Sequence, residues 1–368
     1  MKECDDDNKG VDCRPSVGYV LPTSVSTDWE VTDNSEFLHL QPMIDSLPAS
    51  LSADERARAV QLLRNNADIF SRHEFDFGKT NLLQHRIHTG DYPPITQPLR
   101  RHPHVYRQLI DDTVEGLRKA GVVEEASSPW SFNIVLVAKA DNPVPRVTVD
   151  YRALNEITYK NKWPIPRCGD CLEALSGSIF YSVMDMSGSF YQVELDLRDR
   201  DKTAFLKRRG QFRFCKMPMG ACNSPRVFAR FMTMALKGLQ YVCCLCYIDD
   251  TIVLGKNFED HCQNLQLVFD RFRKANLKLK PKKCKMFQLK VKFLGHIVSH
   301  HGIEVNPEKT AAIEAWEFPK NVTEVREFLG LAGYYRQFVE NYAMIAQPLQ
   351  DMTKQGATMG STRERLCF

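Results

Sequence analysis

Two adjacent carboxylates, Asp249 and Asp250, stand between the apolar runs Val242-Cys243-Cys244-Leu245-Cys246 and Thr251-Ile252-Val253-Leu254. With Tyr247 and Ile248 ahead of them, they read as the tip of a β-hairpin. Like charges held side by side against hydrophobic strands repel, and a divalent cation is the simplest remedy. Asp is also a favoured turn residue, so the pair alone fits an ordinary polar turn. Asp185 adds a second acidic strand end: it follows Ile179-Phe180-Tyr181-Ser182-Val183-Met184 and precedes Ser187-Gly188-Ser189. If the two strands are neighbours, Asp185 and Asp249 converge on an oxygen-ligated magnesium ion, which keeps waters and binds substrate phosphates.

The elements that must position these carboxylates are short strands with helices between them, an α+β pattern. Strand character runs over Phe132 to Lys139, Arg146 to Asp150, Ile179 to Met184, Tyr191 to Leu195 and Thr203 to Phe205. Ser224-Pro225 predicts a helix start, with Val227, Phe228, Phe231, Met234 and Ala235 as its apolar stripe. After the Asp-Asp hairpin, Leu265, Val268, Phe269 and Phe272 predict a second helix on the same sheet. Upstream, Ser52 and Glu55 form a capping-box pattern, and His104 to Ala120 reads as a helix ended by Gly121. Val291 to Val298 and Ile303 to Val305 flank His300-His301-Gly302 as a further hairpin, followed by helices from Asn306-Pro307 and from near Thr323.

The 368 residues can bury a large core. No apolar run approaches the ~18 residues that span a membrane, and the acidic start MKECDDDNKG lacks a hydrophobic centre. A membrane partner and secretion are therefore not expected, while cytosol and nucleus both stay open. Twelve scattered cysteines without a leader predict reduced thiols, and Cys168 and Cys171 have no second pair at zinc-site spacing. A net charge of +4 says little about partners, but Arg271 to Lys292 holds ten Lys or Arg and no Asp or Glu. Leu277, Leu279, Met286, Phe287, Leu289 and Val291 interleave that run, which suits a folded basic surface able to meet phosphates.

Six motifs occur in a telling order: Val149-Asp150-Tyr151-Arg152-Ala153-Leu154-Asn155, Pro164-Ile165-Pro166-Arg167, Asp185 through Gln192, Met217-Pro218-Met219-Gly220, Tyr247 through Asp250, and Phe293-Leu294-Gly295-His296. The chain resembles reverse transcriptases of long-terminal-repeat retrotransposons, the Ty3/gypsy class above all, from about Leu51 to Leu349. That resemblance implies a right-hand polymerase with fingers, an antiparallel-sheet palm and a partial helical thumb. The implied layout is a disordered tail at 1–45, an N-terminal extension and start of the fingers at 46–125, fingers and palm at 126–298, a thumb-like region at 299–352 and a divergent tail at 353–368.

On the same footing, Asp185, Asp249 and Asp250 would hold two magnesium ions, or manganese, roughly 4 Å apart, for in-line attack of a primer 3′-hydroxyl on a deoxynucleoside triphosphate. Asp185 and Asp249 would be the principal ligands. Phe190 would exclude a ribose 2′-hydroxyl, Lys139 and Arg146 would hold the triphosphate, and Met219, Gly220 and Tyr247 would lie beside the nucleotide. Phe293, Leu294, Gly295 and His296 would steer the primer end of an RNA or DNA template, with Lys280, Lys282 and Lys283 on its phosphates.

Some residues depart from the family pattern. Ser187-Gly188-Ser189 moves the usual glycine by one position beneath Phe190, and Lys139 stands where relatives carry a lysine run. Ser131-Phe132-Asn133 replaces a more common Ala-Ser-Pro. The sequence beyond the thumb-like region is too short for ribonuclease H or integrase, so neither activity is expected. Two other readings are a co-opted or decaying nucleic-acid-binding protein without synthesis and a palm-fold nucleotidyl cyclase.

Overall fold

The computed structural model describes residues 37–354, apart from 140, 141, 176 and 318. Most of the expected N-terminal tail and nearly all of the C-terminal one lie outside the described residues. The N-terminal boundary at 45 needs correction, because a 3-10 turn at Leu38–Leu40 leads into α1 (Gln41–Asp45). Leu40 and Met43 are fully buried in the same core as Phe228, Leu265 and Met286, so this segment is part of the fold rather than a solvated tail. In α2 (Ala53–Asn65) the capping box forms in both directions: Ser52 accepts from the Glu55 N–H, and the Glu55 carboxylate accepts from the Ser52 N–H.

The next stretch builds a five-stranded sheet. In chain order come β1 (Thr80–His85), α3 (Arg107–Lys119), β2 (Val123–Glu125), β3 (Phe132–Lys139), β4 (Asn142–Val149), α4 (Arg152–Ile157), α5 (Cys168–Glu173), β5 (Phe180–Met184), β6 (Val193–Leu195), β7 (Phe205–Lys207) and β8 (Gly210–Phe214). The sheet order is β2-β8-β7-β3-β4, with β3 and β7 parallel and the other pairs antiparallel. The strand expected over 191–195 is shorter, because Ser189–Gln192 winds into a 3-10 turn. The one expected at 203 begins at Phe205, since Thr203 closes another 3-10 stretch and its hydroxyl donates to Arg200 O at 2.6 Å.

The candidate carboxylates sit on a four-stranded antiparallel sheet. It is completed by α6 (Ser224–Ala235), β9 (Cys244–Tyr247), β10 (Asp250–Gly255), α7 (Phe258–Lys274) and β11 (Lys285–Gln288), in the order β11-β5-β10-β9. The cap of α6 is Asn223, one residue before the expected Ser224, and Pro225 falls in the first turn. Its buried face is Phe228, Phe231, Met232 and Ala235 at i, i+3, i+4 and i+7, which leaves Met234 out of phase and exposed. Leu265, Val268, Phe269 and Phe272 of α7 are all fully buried.

Beyond this sheet, β12 (Lys290–Phe293), β13 (His296–Ser299) and β14 (Gly302–Val305) form two successive hairpins. The single strand expected over 291–298 is broken because Leu294 and Gly295 both take positive φ (49° and 80°) and make a two-residue turn. Three helices follow: α8 (Pro307–Glu314), α9 (Val322–Tyr334) and α10 (Tyr342–Met352). Val325, Leu349 and Met352 join α9 to α10.

Candidate active site

Register brings the acidic residues together. In β10 and β5, Thr251 pairs with Met184 and Ile252 with Val183, so the next position outward sets Asp250 beside Asp185. The turn joining β9 to β10 is only Ile248-Asp249, with Tyr247 paired to Asp250. Ile248 takes φ +58°, a left-handed conformation that costs a β-branched side chain energy, and such strain persists only where neighbours enforce it. All three carboxylates are half-buried.

Burial, with the charge of Asp185 adding to it, holds Asp249 above the usual carboxylate range. Asp250 is pushed up to about 6 by burial, then by Asp249 and Asp185. Two partners relieve the cluster: Ser189 Oγ donates to Asp249 Oδ2 at 3.4 Å, and Lys283 Nζ donates to Asp185 Oδ2 at 3.0 Å. Among the described residues no three His, Cys, Asp or Glu side chains are closed around a common metal position. The donors present nonetheless suit a hard divalent cation: they are carboxylate oxygens, and burial and mutual repulsion leave them short of positive charge.

Phe190 stands next to Ser189 and packs edge-on against Phe228 of α6, with ring centroids 5.8 Å apart. The displaced glycine beneath it is required where it stands. Gly188 has φ +53°, and a Cβ there would lie 2.5 Å from the Phe77 ring. Gln192, expected as a strand residue and as the last position of a motif but with no role of its own, fixes this turn. Its buried amide donates to Ser187 O and Lys278 O at 2.8 and 2.9 Å, and its Oε1 accepts from the Lys278 N–H at 2.8 Å. The signal in the sequence is a lone Gln between Tyr191 and Val193.

A second feature is a pocket of about 530 Å³ lined by Arg146, Asp150, Arg152, Asn155, Met219 and Gly220, among others. Three of the expected nucleotide contacts, Arg146, Met219 and Gly220, thus share one cavity. Phe190 and Tyr247 do not line it. Lys139 lies on the same β-hairpin as Arg146, in register with Asn142. The Asp150 carboxylate is held well ionised by the Arg152 guanidinium, which grips it at 2.9 and 2.7 Å. Asn155, which has no expected role beyond its place in a motif, anchors the Met219-Gly220 loop, donating to Gly220 O at 2.9 Å and accepting from the Cys222 N–H at 2.8 Å. Gly220 has φ +88°, as a close-approach turn requires. Tyr247 keeps its phenol proton, chiefly through a hydrogen bond with Cys168.

The expected primer-side residues separate into two groups. Phe293 and His296 are 3% and 2% exposed, so neither presents its side chain to a duplex. His296 instead stacks on Tyr334 of α9 and lies 3.2 Å from its hydroxyl, which fastens the hairpin to the helices. Leu294 and Gly295 form the accessible tip. In the basic run Lys280 is half-buried, with its N–H on Asp185 O, Lys282 is exposed, and Lys283 turns toward the carboxylates.

Residues 137–298 match the family described as reverse transcriptase (RNA-dependent DNA polymerase). The retrovirus-related Pol polyprotein from transposon 297 of Drosophila melanogaster is 35% identical over 279 residues, which are 75% of this chain and 26% of that protein. The corresponding polyprotein from transposon gypsy is 32% identical over 275 residues, 73% of this chain and 26% of that one. The chain carries a reverse transcriptase domain of the Ty3/gypsy type. It spans about a quarter of the length of these relatives. The reverse transcriptase domain has the right-hand polymerase fold. A foamy viral protease-reverse transcriptase in complex with double-stranded DNA superposes with a TM-score of 0.78 at 24% identity, covering 85% of this chain and 54% of that one. The same kind of protein with an RNA/DNA hybrid gives 0.74 at 23%, covering 87% and 43%.

Proposed function

We propose that this chain is an RNA-directed DNA polymerase, extending a primer on an RNA or DNA template with deoxynucleoside triphosphates. The observation that carries the reading is the register of β5 against β10, which sets Asp185 beside the Asp249-Asp250 turn. Asp185 and Asp249 are the principal magnesium-holding side chains, with Asp250 more peripheral; manganese suits the same oxygens. When bound, two such ions supply charge neutralisation at the attacking and leaving oxygens of a phosphoryl transfer.

The chain's own residues do the rest. Arg146 and Lys139 neutralise the triphosphate, and the Gly220 backbone allows close approach of the nucleotide. Phe190, braced by Phe228, closes the space that a 2′-hydroxyl needs. Lys280 and Lys282, with the Leu294-Gly295 tip, face the primer-template backbone. The solved relatives described as complexes with double-stranded DNA and with RNA/DNA hybrid support such a partner.

The test is primer extension by the purified chain on a primed RNA template with deoxynucleotides and magnesium or manganese. Extension is expected, and Asp249→Asn or Asp185→Asn should lower it by at least about a hundredfold while leaving the fold intact. Either variant extending at the parent rate removes the ligand assignment. Binding without extension identifies a non-synthetic nucleic-acid binder, and a cyclic product made without template identifies a cyclase.

A further inference from the structure

We infer that Lys283 is the resident counter-cation of the carboxylate cluster, seated on Asp185 while no divalent ion is bound and displaced from it when one enters. The inference rests on the reading of Asp185, Asp249 and Asp250 as the metal-holding carboxylates. Lys283 Nζ lies 3.0 Å from Asp185 Oδ2, and strand register sets Asp185 beside the Asp249-Asp250 turn. It therefore sits on the carboxylate cluster, whereas the sequence pattern alone puts it on an outward phosphate-binding face.

The lysine is seated by its backbone. Pro281–Lys283 form a 3-10 turn whose Pro281 is buried, and the Lys283 N–H donates to Lys280 O at 3.0 Å. The Lys280 N–H donates to Asp185 O at 2.8 Å, so ammonium and carboxylate start from one tied junction. The buried Cys284 follows, and then Lys285 pairs with Val183 on β5, the strand that leads into Asp185.

Exposure makes the pair breakable. The Lys283 side chain is 58% exposed and that of Asp185 29%, so solvent screens the attraction and little energy opposes separation. A divalent ion brings twice the charge and can also bind Asp249, whereas an ammonium and a metal ion at one carboxylate repel each other. Lys283 thus steadies the metal-free fold and competes with the entering ion.

The experiment uses the full chain, its Lys283→Gln and Lys283→Arg variants and Asp249→Asn, titrated with manganese chloride by calorimetry and followed by thermal melts without nucleotide. Lys283→Gln should bind Mn²⁺ about two- to fivefold tighter than the parent. Its metal-free Tm should be lower, with the deficit closing at saturating Mn²⁺, while Lys283→Arg keeps the parent affinity. A merely structural lysine would lower Tm without tightening the metal. Equal or weaker Mn²⁺ binding by Lys283→Gln, where the parent binds the ion in an Asp249-dependent way, overturns this inference alone. A parent that binds Mn²⁺ no better than Asp249→Asn overturns it together with the metal reading.

Discussion

Ser182 Oγ, on the strand that leads into Asp185, lies 2.7 Å from His261 Nε2 of α7, and both side chains are fully buried. The same hydroxyl accepts the Phe287 N–H at 3.0 Å, at the irregularity where β11 shifts register against β5. One polar contact thus ties α7, β5 and β11 together directly under the candidate site. Burial pushes His261 down to about 4, so the folded chain holds it neutral. Unfolding restores a pKa near 6.5. The associated stability is complete above pH 6.5 and is lost as pH falls toward 4, up to about 3 kcal/mol. His261→Gln keeps a hydrogen-bonding group but cannot titrate. It should cost ~1–2 kcal/mol at pH 7.5 and flatten the fall of Tm between pH 6.5 and 4. Thermal melts across that range decide it; an unchanged slope assigns the acid sensitivity elsewhere, with His85, also pushed down to about 4 by burial, as the next group to replace.

Asp250 should act in the opposite direction. Its folded pKa of about 6 lies above the unfolded carboxylate value, so the folded state gains protons and stability as pH falls from 6 toward 4. At neutral pH the charged form burdens the fold. Asp250→Asn should therefore raise the metal-free Tm at pH 7.5 by roughly 2–6 °C, about 1–2 kcal/mol once solvent screening is allowed for. The gain should vanish near pH 4. A Tm that does not rise at pH 7.5 would show that the repulsion is relieved by other means.

Much of this arrangement is legible in local pattern. Asp249 and Asp250 announce a tight hairpin because two apolar runs flank a very short polar interval, and the Ser52–Glu55 box carries its own start signal. What escapes depends on contacts distant in sequence. Leu40 and Met43 sit in a short, weakly periodic segment, and only the core they meet shows that they fold. His296 belongs to a motif expected at the primer end, and only the packing of α9 over it shows that its ring is used inside the fold. Lys283 is one of many lysines in a basic run, and its difference from Lys282 arises because the 3-10 turn directs it at a residue 98 positions earlier. Gln192 and Asn155 carry no chemistry of their own; their value lies in the backbone groups they satisfy.

Phe190→Ala should widen sugar acceptance. The ring is half-buried against Phe228, so truncation should also cost about 1–3 kcal/mol of stability. The measurement is incorporation from competing ribo- and deoxynucleotides at a temperature where the variant stays folded. A higher ribonucleotide share is expected. If the ratio does not move, the ring braces α6 without gating the sugar.

The structure also sharpens which basic residues should be altered to probe the primer-template surface. Replacing Lys283 would disturb Asp185, so a test that includes it mixes metal chemistry with duplex binding. Lys282 and Lys285 are both exposed, and no ion-pair partner ties either of them among the described residues. Changing both to Gln should weaken affinity for a primer-template duplex about equally across sequences and reduce the slope of log affinity against log salt by up to about 0.9 for each phosphate that is no longer neutralised. The Mn²⁺ affinity of the carboxylates should stay at the parent value, since the lysine paired with them is Lys283. Binding isotherms at several salt concentrations give both quantities. An unaltered slope would show that this part of the run is a solvated face, leaving the Leu294-Gly295 tip and the more N-terminal cations, Lys278 and Lys280, to meet the duplex.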